Sequence, residues 1–202
     1  MFPLGTVLFP SVYLPLHVFE DRYRTLVRDC LASDREFGVV LIERGSEVGG
    51  GDTRTGVGTV AQIVEAVEMD DGRWALGTVG VRRVRIRRWR HDDPYPRAEV
   101  EDWPDQPGRL PIDQGPAAAQ LRRVLALAAE MGDHVVDSTV DLADDPELAS
   151  YQMAAVAPFG PADQQRLLAL ASTGERLEAL TGLLGDVETD LAARLRMHPG
   201  SG

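Results

Sequence analysis

Lysine is absent from this sequence: all 21 basic residues are arginine. That excludes within this chain the lysine that grips phosphate in a P-loop and the lysine of a Ser-Lys dyad. Asparagine is absent too, which removes every N-glycosylation acceptor. The single cysteine, Cys30, permits no internal disulfide and no cysteine-based zinc cage. No apolar run approaches the roughly 18 residues of a membrane helix. The opening Met1-Phe2-Pro3-Leu4-Gly5 lacks the basic and apolar regions of a signal peptide. Together these absences predict a cytoplasmic protein with no membrane contact and no cofactor.

Charge narrows the partners. The formal net charge is −11, unevenly spread. Residues 1–109 carry 15 arginines against 18 acids, and residues 110–202 carry 6 against 14. Long-range attraction to nucleic acid or to an anionic membrane is therefore disfavoured.

The patterning divides the chain into an α+β arrangement. Residues 1–103 read as about six short strands and one helix, curling into a small barrel. Val7-Leu8-Phe9 and Tyr13-Leu14-Pro15-Leu16 are apolar pieces whose prolines confine them to edges or turns. Phe19, Tyr23, Leu26, Val27, Cys30 and Leu31 recur at helical spacing, with Glu20 and Asp21 at the dipole-favoured start. Phe37 to Ile42 reads as a buried strand, and Gly-rich residues 45–58 as a mobile loop. Val57 to Met69 is a strand, Asp71-Gly72 a hairpin turn, and Trp74–Val79, Val81–Trp89 and Arg97–Trp103 complete the strands. Residues 104–116, with four prolines and two glycines, read as a linker. Residues 117–197 read as a helical bundle. Its signals are an Asp145-Pro146-Glu147 start, a break at Gly160-Pro161 and a Ser172–Glu175 capping box before a leucine-striped last helix.

No residue constellation supports enzyme chemistry. Gly56-Val57-Gly58-Thr59-Val60-Ala61 matches a dinucleotide fingerprint in form, but β-branched residues follow where a helix is required, so it reads as a loop entering a strand. His17, His91, His134 and His198 lack metal-ligand spacing, and the serines lack a nucleophile elbow. Asp70-Asp71, Asp92-Asp93 and Asp144-Asp145 adjoin turns and caps. Two binding surfaces remain. Phe2, Leu4, Phe9, Leu14 and Leu16, flanked by Glu20, Asp21, Arg22 and Arg24, either form barrel core or leave an edge that takes an extended peptide. Arg83, Arg85, Arg87 and Trp89 lie in an arginine-rich strand that would hold RNA unless Glu99, Glu101 and Asp102 pair with it from the next strand.

The ordered series Phe2-Pro3-Leu4, Val7-Leu8-Phe9-Pro10, Leu14-Pro15-Leu16, Phe19-Glu20 and Arg22-Tyr23-Arg24 resembles the opening of the Lon protease N-terminal, substrate-binding domain family. Phe37–Val40, Gly58–Ala61, Asp71–Arg73, Arg83–Ile86, Pro94–Val100 and the Gln164–Leu168 and Glu175–Leu177 pieces continue the match over residues 2–196. The resemblance implies a PUA-like β-barrel followed by a helical bundle, standing without the ATPase and protease. It implies a non-catalytic module for unfolded or degron-bearing polypeptides, acting as an adaptor or regulator beside a separate protease. Oligomeric state is left open.

Overall fold

Prolines, glycines and alternation shape the first half of the chain. The structure, a computed structural model, describes residues 1–44, 53–107, 112–132 and 137–197. The chain separates into two compact units, Met1–Pro104 and Asp105–Gly202. Among the described residues the first holds β1 (Phe2–Leu4), β2 (Tyr13–Val18), α1 (Asp21–Leu31), β3 (Glu36–Arg44), β4 (Thr53–Glu68), β5 (Trp74–Trp89) and β6 (Ala98–Asp102).

The strands form one mixed sheet in the order β1-β3-β4-β5-β2, with β6 also on β5. β1 runs parallel to β3, placing Phe2 opposite Val39 and Leu4 opposite Leu41. All other pairs are antiparallel. β5 is long enough to serve two partners besides β4, pairing β2 over Trp74–Val79 and β6 over Val84–Trp89. The sequence pattern suggests two strands here, split at Gly80. The structure instead runs one strand through Gly80, with a register shift opposite it between Val60 and Ala61. A side chain at Gly80 would collide with the carbonyl oxygen of Phe9, so glycine is what lets the Val7–Pro10 segment cross β5. Thr59 Oγ1 donates to the Leu8 carbonyl at 2.5 Å and fixes that segment from β4. Val7-Leu8-Phe9 is thus core filler rather than a strand, with Leu8 and Phe9 buried.

Two other expectations change. Thr53–Gly58, read as loop, is the start of β4; residues 45–52 of that loop lie outside the described residues. Phe19, read as part of the buried helical face, precedes α1 and is 57% exposed. The rest of the face is as the spacing predicts: Tyr23, Leu26, Val27 and Cys30 are buried against Phe2, Leu4, Phe37, Val39, Ile63 and Leu76. The Asp71-Gly72 hairpin forms with Gly72 at φ +77° and its N–H donating to Met69 at 2.8 Å.

The second unit holds α2 (Gly115–Glu130), α3 (Pro146–Val156), α4 (Pro161–Leu168) and α5 (Thr173–Met197). Leu121, Val124, Leu125 and Ala128 of α2 are buried, and α2 packs on α5, whose leucine stripe Leu177, Leu180, Leu184 and Leu191 is buried as well. Asp145 caps α3 by accepting from the Leu148 N–H at 3.2 Å. Ser172 Oγ accepts from the Glu175 N–H at 3.3 Å, while the Glu175 carboxylate reaches back to the Ala171 N–H at 3.1 Å, one residue earlier than a standard capping box. The Asp105 carboxylate is buried here. It accepts from Tyr151 Oη (2.9 Å) and Thr173 Oγ1 (2.6 Å) and pairs with the fully buried Arg176 (2.5 Å).

Candidate functional site

β1 and β2 are the two ends of the sheet's strand order, so the sheet stops short of closing between them. A cleft of about 190 Å³ lies along this seam. Phe2 and Leu4 of β1 form one wall, Pro15–Val18 of β2 the other, and Phe19, Glu20 and Tyr23 at the start of α1 close the end. Phe2 stacks on Tyr23 with ring centroids 4.1 Å apart and meets Phe37 at 5.9 Å. Arg22 lies over the outer face of Tyr23 at 4.5 Å and donates from Nε to Glu20 at 3.1 Å, so the charged rim is internally paired. The cleft is therefore a mainly apolar slot with His17 on its β2 wall and a paired charged rim.

Of the residues anticipated for peptide binding, Phe2, Leu4, Leu16 and Glu20 meet at this cleft. Leu14 sits one step along the same face of β2 as Leu16, half-buried against the core. Phe9 is fully buried elsewhere in the unit. Asp21 points to solvent and pairs with Arg24 at 2.9 Å across one turn of α1. The sequence reasoning did not select Pro15, His17, Val18, Phe19 or Tyr23, all of which line the cleft. Alternation along β2 was the available signal: Tyr13, Pro15 and His17 are exposed while Leu14, Leu16 and Val18 turn inward.

The arginine strand forms a different surface. Arg83 is 3% exposed and stacks on Trp103 at 4.6 Å, so it faces inward rather than on an open strand face. Arg85 lies over the same Trp103 at 4.3 Å, and Arg54 covers Trp89 at 4.7 Å. Arg87 pairs with Glu101, Arg90 with Glu99, and Arg82 with both Glu36 (2.8 Å) and Asp102 (3.0 Å). The β6 carboxylates sit in register opposite β5, with Arg85 facing Glu101 and Arg88 facing Glu99. This cross-strand pairing neutralises the face that an RNA phosphate would need, and the two indoles best placed to stack on bases are already covered by arginine. A wider depression of about 700 Å³, lined by Arg88, Trp89, Arg90, His91, Asp93 and Arg97, lies at the end of this ribbon. Glu99 already engages its Arg88 and Arg90.

Reactive groups are few. Burial pushes the Cys30 thiol up to about 11, and its Sγ donates to the Glu36 carbonyl at 3.2 Å. Among the described residues no cluster of three or more His, Cys, Asp or Glu side chains is disposed to hold a metal, and no helix is long and apolar enough to cross a membrane.

The family described as the ATP-dependent protease La (LON) substrate-binding domain matches residues 1–186. Lon protease 2 of Herpetosiphon aurantiacus is 29% identical over 186 residues, and Lon protease of Roseiflexus castenholzii 28% over 184. These alignments cover 90% and 89% of this chain but only 23% of each relative, so the chain spans about a quarter of their length. The crystal structure of a Lon N-terminal domain protein from Xanthomonas campestris is 31% identical, covers 90% of this chain and 95% of its own, and superposes with a TM-score of 0.68. The N-terminal domain of a Mycobacterium avium complex Lon protease, 19% identical with a TM-score of 0.62, covers 93% and 97% and shares the fold.

Proposed function

The chain belongs to the Lon substrate-binding domain family, and from that premise we propose that it recognises polypeptides through the apolar cleft between β1 and β2. The observation that carries this reading is the cleft itself, an apolar slot at an unclosed sheet seam with the exposed ring of Phe19 at its end. Phe2, Leu4, Leu16 and Tyr23 supply the apolar wall, and the Glu20–Arg22 pair forms the polar rim. Leu14, Asp21 and Arg24 act beside it, by shaping β2 and the first turn of α1. The reading is of a non-enzymatic, cytoplasmic module whose β unit is PUA-like and whose helices form a bundle. In this reading it serves as an adaptor or regulator that presents unfolded or degron-bearing chains to a protease. The bound segment is unfolded because a folded client would not offer an apolar stretch thin enough for such a slot.

The test is binding to a reduced, S-carboxymethylated and hence permanently unfolded protein, followed by fluorescence anisotropy. A dissociation constant in the micromolar range is expected. Phe19→Asp, a change at an exposed position, should weaken it severalfold while leaving the circular dichroism spectrum and melting temperature intact. Absence of binding at tens of micromolar by folded protein in low salt would refute the reading.

A further inference from the structure

The register of β2 specifies which main-chain groups face the seam. In an antiparallel ladder, alternate residues direct both N–H and C=O toward the partner, and the residues between direct both away. The Gly80 N–H donates to the Val12 carbonyl at 3.0 Å, and the pairing continues as Leu14 opposite Thr78, Leu16 opposite Leu76 and Val18 opposite Trp74. Leu14, Leu16 and Val18 therefore bond to β5, while Tyr13, Pro15 and His17 direct their main-chain groups away from it. Proline at position 15 fits this phase, since its missing N–H would point into the open seam. β2 pairs with no strand but β5 among the described residues. Its free edge thus offers three carbonyl oxygens, at 13, 15 and 17, but two N–H donors, at 13 and 17. The edge carries an excess of partial negative charge that complements a chain presenting N–H groups.

We infer that the ligand's main chain adds to this edge as an extended strand antiparallel to β2 and is read in two alternating phases. This inference rests on the polypeptide-binding reading and deepens it. Ligand residues opposite Tyr13, Pro15 and His17 donate their N–H groups to β2, and their side chains point to the same outer face as those three exposed residues. Ligand residues opposite Leu14 and Leu16 turn their side chains inward, to the wall of Phe2, Leu4 and Tyr23, and need to be apolar. The substrate class is therefore an extended segment with alternate apolar side chains and an unblocked amide at each residue between them. Proline is excluded at the second set of positions and tolerated at the first. Pro15 leaves one ligand carbonyl without a partner, which weakens the edge and keeps two copies of β2 from pairing with each other.

The experiment uses a soluble nonapeptide of alternating leucine and threonine, a scan of singly N-methylated versions and a scan of single aspartate replacements, all against the full chain. N-methylation at alternate positions is expected to weaken binding roughly tenfold or more by removing a hydrogen bond and adding a clash. Aspartate is expected to be damaging at the positions between, so that the two profiles run out of phase. Pro15→Ala restores the missing donor and is expected to tighten binding of the parent peptide severalfold. Flat profiles would overturn strand addition, and profiles in phase would overturn the antiparallel orientation inferred here, both while leaving polypeptide recognition standing. Failure of the peptide to bind a protein that still binds the unfolded client would likewise overturn strand addition. Failure of both peptide and client would overturn the two together.

Discussion

Asp105 shows how much depends on one carboxylate. It satisfies Tyr151, Thr173 and the guanidinium of Arg176, whose Nε donates to Ser150 Oγ at 2.7 Å and whose Cζ lies 3.9 Å from the Tyr151 ring centroid. Arg176 is fully buried, so removing its counter-charge strands a cation in the helical unit. Asp105→Ala is expected to cost roughly 3–5 kcal/mol, read as a fall in the urea midpoint, and a change within about 0.5 kcal/mol would show the pair to be dispensable. Cys30 makes a second residue-scale claim. Burial raises its thiol from 9.0 to about 11. Between those values the folded chain keeps its proton while the unfolded chain releases it, so stability is untouched below about pH 9 and falls as pH rises toward 11. The same burial predicts slow reaction with a thiol reagent at pH 8 in native buffer and rapid reaction in denaturant; equal rates would place Cys30 outside the core.

At the scale of elements, β5 depends on Gly80. A methyl there meets the Phe9 carbonyl, a backbone atom with no freedom to retreat while Thr59 holds the neighbouring Leu8 carbonyl. Gly80→Ala is expected to destabilise by about 1–3 kcal/mol in urea unfolding, whereas Gly174→Ala, which has open space around it, should be close to neutral. Helices were legible because their signals are local: the Asp145 cap, the Gly160-Pro161 break and the leucine spacing of α5 act within a few residues. The continuity of β5 was not, because a glycine that ends a strand and a glycine that admits a crossing backbone look alike in sequence. The difference lies in Phe9, 71 positions away in the chain. Thr53–Gly58 reads as loop for the same reason, since it is long-range pairing, of Thr53 and Arg54 with β3 and of Gly58 with both β3 and β5, that makes it a strand.

At the scale of the whole molecule, the net charge of −11 acts at long range on any charged partner, while the arginines of β5 are cross-paired with the carboxylates of β6. The apolar half of the candidate site was legible, because Phe2, Leu4 and Leu16 are apolar next to prolines. The seam was not, because closure or opening of a sheet is a relation between its first and last strands. Phe19 went unselected because helical spacing assigned it to the core. The seam and the field predict different salt responses. Binding of a near-neutral unfolded client through the cleft buries apolar surface and pairs main-chain groups, neither of which is strongly screened. Its dissociation constant should change less than about threefold between roughly 50 and 500 mM salt. A strongly basic unfolded client adds long-range attraction to the acidic chain, so its affinity should fall over the same range until it converges on that of the neutral client. Convergence would identify the shared remainder as the contribution of the cleft, and Phe19→Asp should then weaken both clients by the same factor at high salt. If the neutral client also loses its affinity with salt, binding resides in the surface field and the seam between β1 and β2 is not where polypeptides are held.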